Sequence, residues 1–196
     1  MDRTTRPLVI IAAFASSLLV VLVVLLWMLG GLRGVTAPAA IGGPFQLTDQ
    51  TGQIVTEKNL QGRPTLIFFG FTHCPDVCPT SLFEISEVLR AMGKDADRVN
   101  AYFISVDPER DTANTMKDYL SSFDPHLKGL TGDADAVAKV ISGFRVYAKK
   151  VPLKDGDYTM DHTALIYLMD RDGKFVAPFN LKRTPEEAAK DLKRYL

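Results

Sequence analysis

The chain has 196 residues, in which 23 lysines and arginines are balanced by 23 aspartates and glutamates, so its charge gives no reason to expect nucleic acid as a partner. The length suits one sizeable domain, and two cysteines allow a single bridge at most, which excludes a disulfide-stapled fold.

Leu8 to Leu32 contains no charged residue and is rich in Leu, Val and Ile. At ~1.5 Å rise per residue a helix of this length crosses a ~30 Å hydrocarbon core. Arg3 and Arg6 precede it, Arg33 follows it, and the next charge is Asp49. The positive-inside bias therefore predicts a cytoplasmic N-terminus (1–7), a transmembrane anchor (8–32), a linker (33–44) and an exported domain (45–196). Trp27 suits the outer interface. A signal peptide cleaved near Ala37-Pro38-Ala39 is the competing reading, but the apolar run exceeds the ~7–15 residues of a signal h-region. About 160 residues then remain, enough to bury roughly 70 % of their unfolded surface. The cysteines are free for chemistry.

Phe45 to Thr48 and Gln53 to Thr56 flank Asp49-Gln50-Thr51-Gly52 and predict a hairpin. Thr65 to Phe69 is a continuous apolar run, the pattern of a strand buried on both faces. After Cys74-Pro75-Asp76-Val77-Cys78, the residues Leu82, Ile85, Val88, Leu89 and Met92 recur at helical spacing, with Gly93 as C-cap. Pro is favoured at the first helical position, so the helix is predicted over 79–92, with both cysteines in the loop before it. Val99 to Val106 is the next strand and completes a βαβ unit.

Asp111 and Asp133 are candidate caps for helices burying Met116, Tyr119, Leu120 and Phe123, and Val137, Val140, Ile141 and Phe144. Arg145 to Val151 is a candidate short strand. Thr163 to Met169, the turn at Asp172-Gly173 and Lys174 to Ala177 predict a second hairpin, and Thr184-Pro185-Glu186-Glu187 is a capping box opening the last helix. The order predicts an α/β thioredoxin-like fold, with the N-terminal hairpin and the helical segment 111–144 as additions.

Two neighbouring thiolates favour soft metals such as Cu(I), zinc or an iron–sulfur cluster. The cysteines are too few for a cluster, and a structural zinc site takes four protein ligands. Two cysteines and one histidine suit low-coordinate Cu(I). Of three histidines, His162 enters a core strand on the expected side of the sheet and is the preferred third ligand, with an ordinary loop-end residue as its alternative. His73 adjoins Cys74, but neighbouring side chains diverge; His126 is read as a surface loop residue. The same sulfurs near a helix start also suit thiol–disulfide exchange, in which Cys74 and Cys78 would be catalytic. A structural disulfide is the third reading, although so small a loop gains little from closure.

Cys74-Pro75-Asp76-Val77-Cys78-Pro79, Val106-Asp107-Pro108-Glu109-Arg110-Asp111-Thr112 and Asp161-His162-Thr163 together resemble the Sco/SenC family of copper chaperones over about residues 40–196. The resemblance implies one copper ion, as Cu(I) or Cu(II), on Cys74, Cys78 and His162, and delivery to the binuclear copper centre of cytochrome c oxidase subunit II. It also implies a loop near the site built from Asp107-Pro108 and Arg110-Asp111, to which no ligand role is given. Where thioredoxins place a cis-proline, this chain has Asp161-His162, which weakens a general oxidoreductase reading. The expected partners are that subunit, another copper chaperone as donor and a periplasmic thioredoxin-like reductant. A reductase that keeps the recipient's cysteines reduced is the alternative function. With no long basic peptide before Leu8, the expected location is a bacterial inner membrane, single-pass, with the domain in the periplasm; a mature mitochondrial form is the alternative.

Overall fold

The computed structural model describes residues 5–31, 40–154 and 156–196. The chain divides into two compact units, Met1–Ala39 and Ala40–Leu196. In the first, α1 (Thr5–Gly31) is a continuous helix. Its side chains are described over residues 13–28, where Leu18 to Met28 are exposed and apolar. Among the described residues no helix is long and apolar enough to cross a membrane. Residues 1–4 and 32–39, which take in most of the expected N-terminal segment and linker, lie outside the described residues.

The second unit begins with the expected hairpin, β1 (Gln46–Asp49) and β2 (Ile54–Thr56). The Asp49 carboxylate accepts from the amides of Thr51 and Gln53, and Gly52 takes a positive φ of 86° that an L side chain resists. Then follow β3 (Thr65–Gly70), α2 (Val77–Met92), β4 (Asn100–Ser105), α3 (Ala113–Leu120), β5 (Leu127–Thr131) and α4 (Ala134–Gly143). The chain ends with β6 (Ala148–Pro152), β7 (Tyr158–His162), β8 (Ile166–Met169), β9 (Phe175–Pro178) and α5 (Pro185–Leu192). The main sheet has seven strands in the order β2-β1-β5-β4-β3-β8-β9, and β6-β7 is a separate pair. β3, β4 and β5 are parallel, whereas β8 runs antiparallel beside β3.

Every residue of β3 is buried, as its unbroken apolar run predicts, and side chains alternate between two cores. On one face Phe68 stacks on Phe103 of β4 at 5.9 Å, and Tyr119 of α3 lies 5.9 Å from Phe103. On the other, Phe69 packs against Phe144 and Tyr167 at 5.4 and 5.6 Å. α2 packs against α5, whose Thr184–Glu187 capping box is formed as expected.

Four sequence expectations need correction. The segment 111–144 is not wholly helical: β5 pairs with β4 and with β1, so the N-terminal hairpin is part of the main sheet. Gly129 hides β5 from propensity, yet a Cβ there would sit 2.8 Å from Leu120 and Met116, so its absence lets α3 lie close. Asp111 is not a helix cap; Thr112 caps α3, accepting from the Thr115 amide. The stretch before Thr163 is strand rather than loop, since β7 pairs with β6 from Tyr158 to His162, and the next strand starts only at Ile166.

His126 is more than a surface residue. Its Nδ1 lies 2.7 Å from Asp124 and its Nε2 3.1 Å from Asp97. The bond to Asp124, with that to Asp97 beside it, raises the imidazole pKa above the ordinary 6.5 against the opposing effect of burial. A raised native pKa stabilises the fold fully below the unfolded value and loses its effect as pH rises through the native one. His126→Gln is therefore expected to be less stable than wild type at about pH 5.5 and to converge with it by about pH 8.5 in urea titrations.

Candidate metal centre

The site forms at the C-terminal ends of the parallel strands β3 and β4, where open α/β sheets place their binding crevices. From β3 the chain runs through Phe71 and Thr72 into the dithiol loop, and the Cys74 amide donates to the Phe71 carbonyl at 3.3 Å. Asp111 pins this loop. Its buried carboxylate accepts from the Thr72 amide and hydroxyl and from the Ser105 hydroxyl, the two hydroxyls at 2.6 Å. Its carbonyl accepts from Thr131 of β5 at 2.6 Å. Burial raises the Asp111 pKa, while the hydrogen bonds from Ser105 and Thr72 pull the other way.

The helix after the dithiol starts two residues earlier than expected, at Val77 after Asp76. Pro79 is tolerated at the third helical position because amides of the first turn have no helical partner. Cys78 is thus on the helix while Cys74 is in the turn before it. The Cys78 amide, left free by the helix start, donates to Cys74 Sγ at 3.4 Å. Cys78 is fully buried and Cys74 partly exposed, both as free thiols. Burial, reinforced by the neighbouring Cys74 sulfur, pushes the Cys78 thiol pKa far up.

His162 ends β7. Its Nδ1 lies 3.1 Å from the Thr163 carbonyl, a contact that requires N–H there, so in the neutral ring Nε2 carries the lone pair. Nε2 is 3.7 Å from Cys78 Sγ. The rings of Phe71 and Phe68 hold the imidazole edge-on at 5.8 and 6.3 Å. The two sulfurs and a His162 nitrogen all lie within 4.8 Å of one another, an arrangement that could hold a metal ion. The structure thus brings together all three sequence-predicted site residues. His73 is exposed and contacts Thr72 Oγ1, and His126 is engaged with its aspartates.

Sequence reasoning missed Gly70 and the part played by Asp111. A Cβ on Gly70 would stand 2.7 Å from both Cys78 Sγ and the Phe103 ring. Only the lost side chain lets the helix start press its sulfur against the sheet; a glycine ending an apolar strand four residues before a cysteine was the available signal.

The fold and its donors define a thioredoxin-like α/β protein with a dithiol–imidazole site. The sequence model of the SCO1/SenC family matches residues 33–196, and the chain belongs to that family. Bradyrhizobium japonicum ScoI, solved with copper bound, superposes with a TM-score of 0.79 at 83% identity, covering 80% of this chain and 100% of that one. The SCO2-like protein of Rickettsia felis is 41% identical over 155 residues, 78% of this chain and 76% of that protein. The mitochondrial SCO2 homolog of Danio rerio is 41% identical over 157 residues, 79% of this chain but 56% of its own length, so the chain spans little more than half of that relative.

Gly70→Ala is expected to cost about 1–3 kcal/mol through overpacking against Cys78 and Phe103. Thermal denaturation checks this, and an unchanged midpoint would mean that α2 and β3 separate freely there.

Proposed function

We propose that the chain is a membrane-anchored metallochaperone that takes one copper ion on Cys74, Cys78 and His162 and delivers it to the binuclear copper centre of cytochrome c oxidase subunit II. The observation that carries this reading is the convergence of two sulfurs and an imidazole nitrogen within 4.8 Å. Thiolates are the soft donors Cu(I) selects, and imidazole extends the site to Cu(II). Cys74 is partly exposed, so an incoming ligand can replace it while Cys78 and His162 still hold the cargo. The copper-bound relative supports the choice of metal. The family's place in oxidase assembly supports the recipient; another copper chaperone and a thioredoxin-like reductant complete the proposed set of partners.

The anchor is supported by α1, whose 27 residues would rise about 40 Å. With Arg3 and Arg6 before its apolar run and Arg33 alone after it, the proposed arrangement is a single pass through a bacterial inner membrane with the domain in the periplasm.

One observation favours a second reading, reduction of the recipient's cysteines. Cys74 Sγ is accessible and accepts an amide hydrogen bond at a helix start, while Cys78 waits behind it as a buried resolving thiol. Exchange and metal loading exclude each other at any moment, since a disulfide cannot offer two thiolates.

Titration of the thiol-reduced chain with Cu(II) tests the main reading, with one equivalent bound and a clear loss of affinity on His162→Ala as the expected result. Binding that survives His162→Ala unchanged would remove that residue from the site. The pH dependence has a definite sign: with the Cys78 thiol pKa pushed up, binding must expel its proton, so affinity rises with pH. Competition titrations from about pH 6 to pH 8 are expected to show roughly tenfold per pH unit for each proton released. A flat profile would argue against ligation by Cys78.

A further inference from the structure

The imidazole of the site comes from β6-β7, a pair that is not hydrogen-bonded into the seven-stranded sheet. A lone two-stranded hairpin is marginal in water. Besides the packing of Ala148 and Met160 against the core, it is held by the loop after β4. Arg110 Nε donates to Asp107 Oδ2 at 2.5 Å, and Nη1 donates to the Tyr158 carbonyl at 2.9 Å and to Asp157 at 3.3 Å. The guanidinium lies over the Tyr158 ring, 3.7 Å from its centroid, and the Tyr158 hydroxyl donates to the other Asp107 oxygen at 2.9 Å. Three side chains thus close a ring between loop and hairpin. Lys150 of β6 adds a second tie, 4.0 Å from the Tyr158 centroid and 2.7 Å from Glu109.

Tyr158 and His162 are the first and last residues of β7 and, by strand alternation, stand on the same face about 13 Å apart. A tilt at the clamped end therefore displaces the imidazole. Phe71 links the two ends, lying 5.8 Å from the Arg110 guanidinium and 5.8 Å from the His162 ring.

We infer that Arg110, with Asp107 and Tyr158, is a positioning residue that sets the reach of His162 to the dithiol and so decides whether copper is held by two ligands or three. The inference rests on the copper reading above. Two thiolates suffice for Cu(I), whereas Cu(II) prefers more donors and accepts imidazole readily. The clamp therefore governs the Cu(II) state far more than the Cu(I) state.

The test compares Arg110→Gln, Arg110→Lys, Tyr158→Leu and His162→Ala in the 196-residue chain, with Cu(I) and Cu(II) ions as probes. Arg110→Gln and Tyr158→Leu are expected to lose about 10–100-fold in Cu(II) affinity, the size of effect that supporting residues have on metal sites. Their sulfur-to-copper charge-transfer spectra move toward that of His162→Ala, while Cu(I) still binds at one equivalent. Arg110→Lys does not restore the spectrum, because an ammonium cannot reach carboxylate, carbonyl and ring together. In copper-free Arg110→Gln, amide hydrogen exchange quickens in 148–162 and stays unchanged in β3 and β4.

Wild-type Cu(II) spectra and affinity in both clamp variants would overturn the inference, as would a loss of exchange protection spread evenly over the fold. Should Arg110→Gln not fold, Tyr158→Leu decides the question from a partly exposed position. If His162→Ala changes the spectrum and the clamp variants do not, only the positioning role fails. If His162→Ala changes nothing, the copper reading fails and this inference with it.

Discussion

The loops that meet at the ends of β3 and β4 are tied by one buried carboxylate. Asp111 accepts the Thr72 amide and hydroxyl from the dithiol loop and the Ser105 hydroxyl from the end of β4, while its own carbonyl takes the Thr131 hydroxyl of β5. Three parallel strands and the entry to the dithiol thus converge on one residue. Hydrogen bonds to a charged group contribute about 1.5–3 kcal/mol each, but taking a carboxylate out of water costs a comparable amount. The raised Asp111 pKa shows burial outweighing those bonds in setting its acidity. The gain is geometric: the loop that must present two sulfurs has its first residues fixed before any ligand arrives.

The strands and helices with unbroken periodicity were legible because their patterns are local. The apolar run of β3, the i, i+3, i+4 recurrence of α2 and the Thr184–Glu187 box each follow from neighbouring residues. β5 was not legible, because it is short and contains Gly129, whose value appears only against Leu120 and Met116 of α3. β7 escaped for a related reason. Tyr158-Thr159-Met160-Asp161-His162 is half-buried and lies outside the main sheet, so no core imposes a clean alternation on it. The early start of α2 reflects first-turn chemistry, in which a proline at the third position breaks no hydrogen bond.

The site was legible in its donors and illegible in its supports. Cys74, Cys78 and His162 stand out because the chain has only two cysteines and three histidines, and their convergence matches the order of motifs. The residues that set their distances are ordinary by type. Asp111 reads as a helix cap, Arg110 as a surface charge and Gly70 as the end of a strand. Each acquires its role from a partner 8 to 48 positions away: Gly70 from Cys78, Asp111 from Thr72, Arg110 from Tyr158. Pattern within a window of one helix or strand contains no such information.

The same geometry bears on how a dithiol can serve metal in preference to exchange. An exchange site profits from one thiol open to attack and one behind it ready to resolve, and the partly exposed Cys74 beside the buried Cys78 fits that description. An imidazole nitrogen 3.7 Å from the buried sulfur adds nothing to the attack at Cys74. It does add a donor at the deepest point of the site, beside the thiol whose proton is hardest to lose in the absence of a cation. A cation entering there offsets the desolvation of the Cys78 thiolate by direct charge neutralisation, which no disulfide partner can do. The hairpin that carries His162, with its side-chain ring at Arg110, is thus a structure for which metal binding supplies a direct reason.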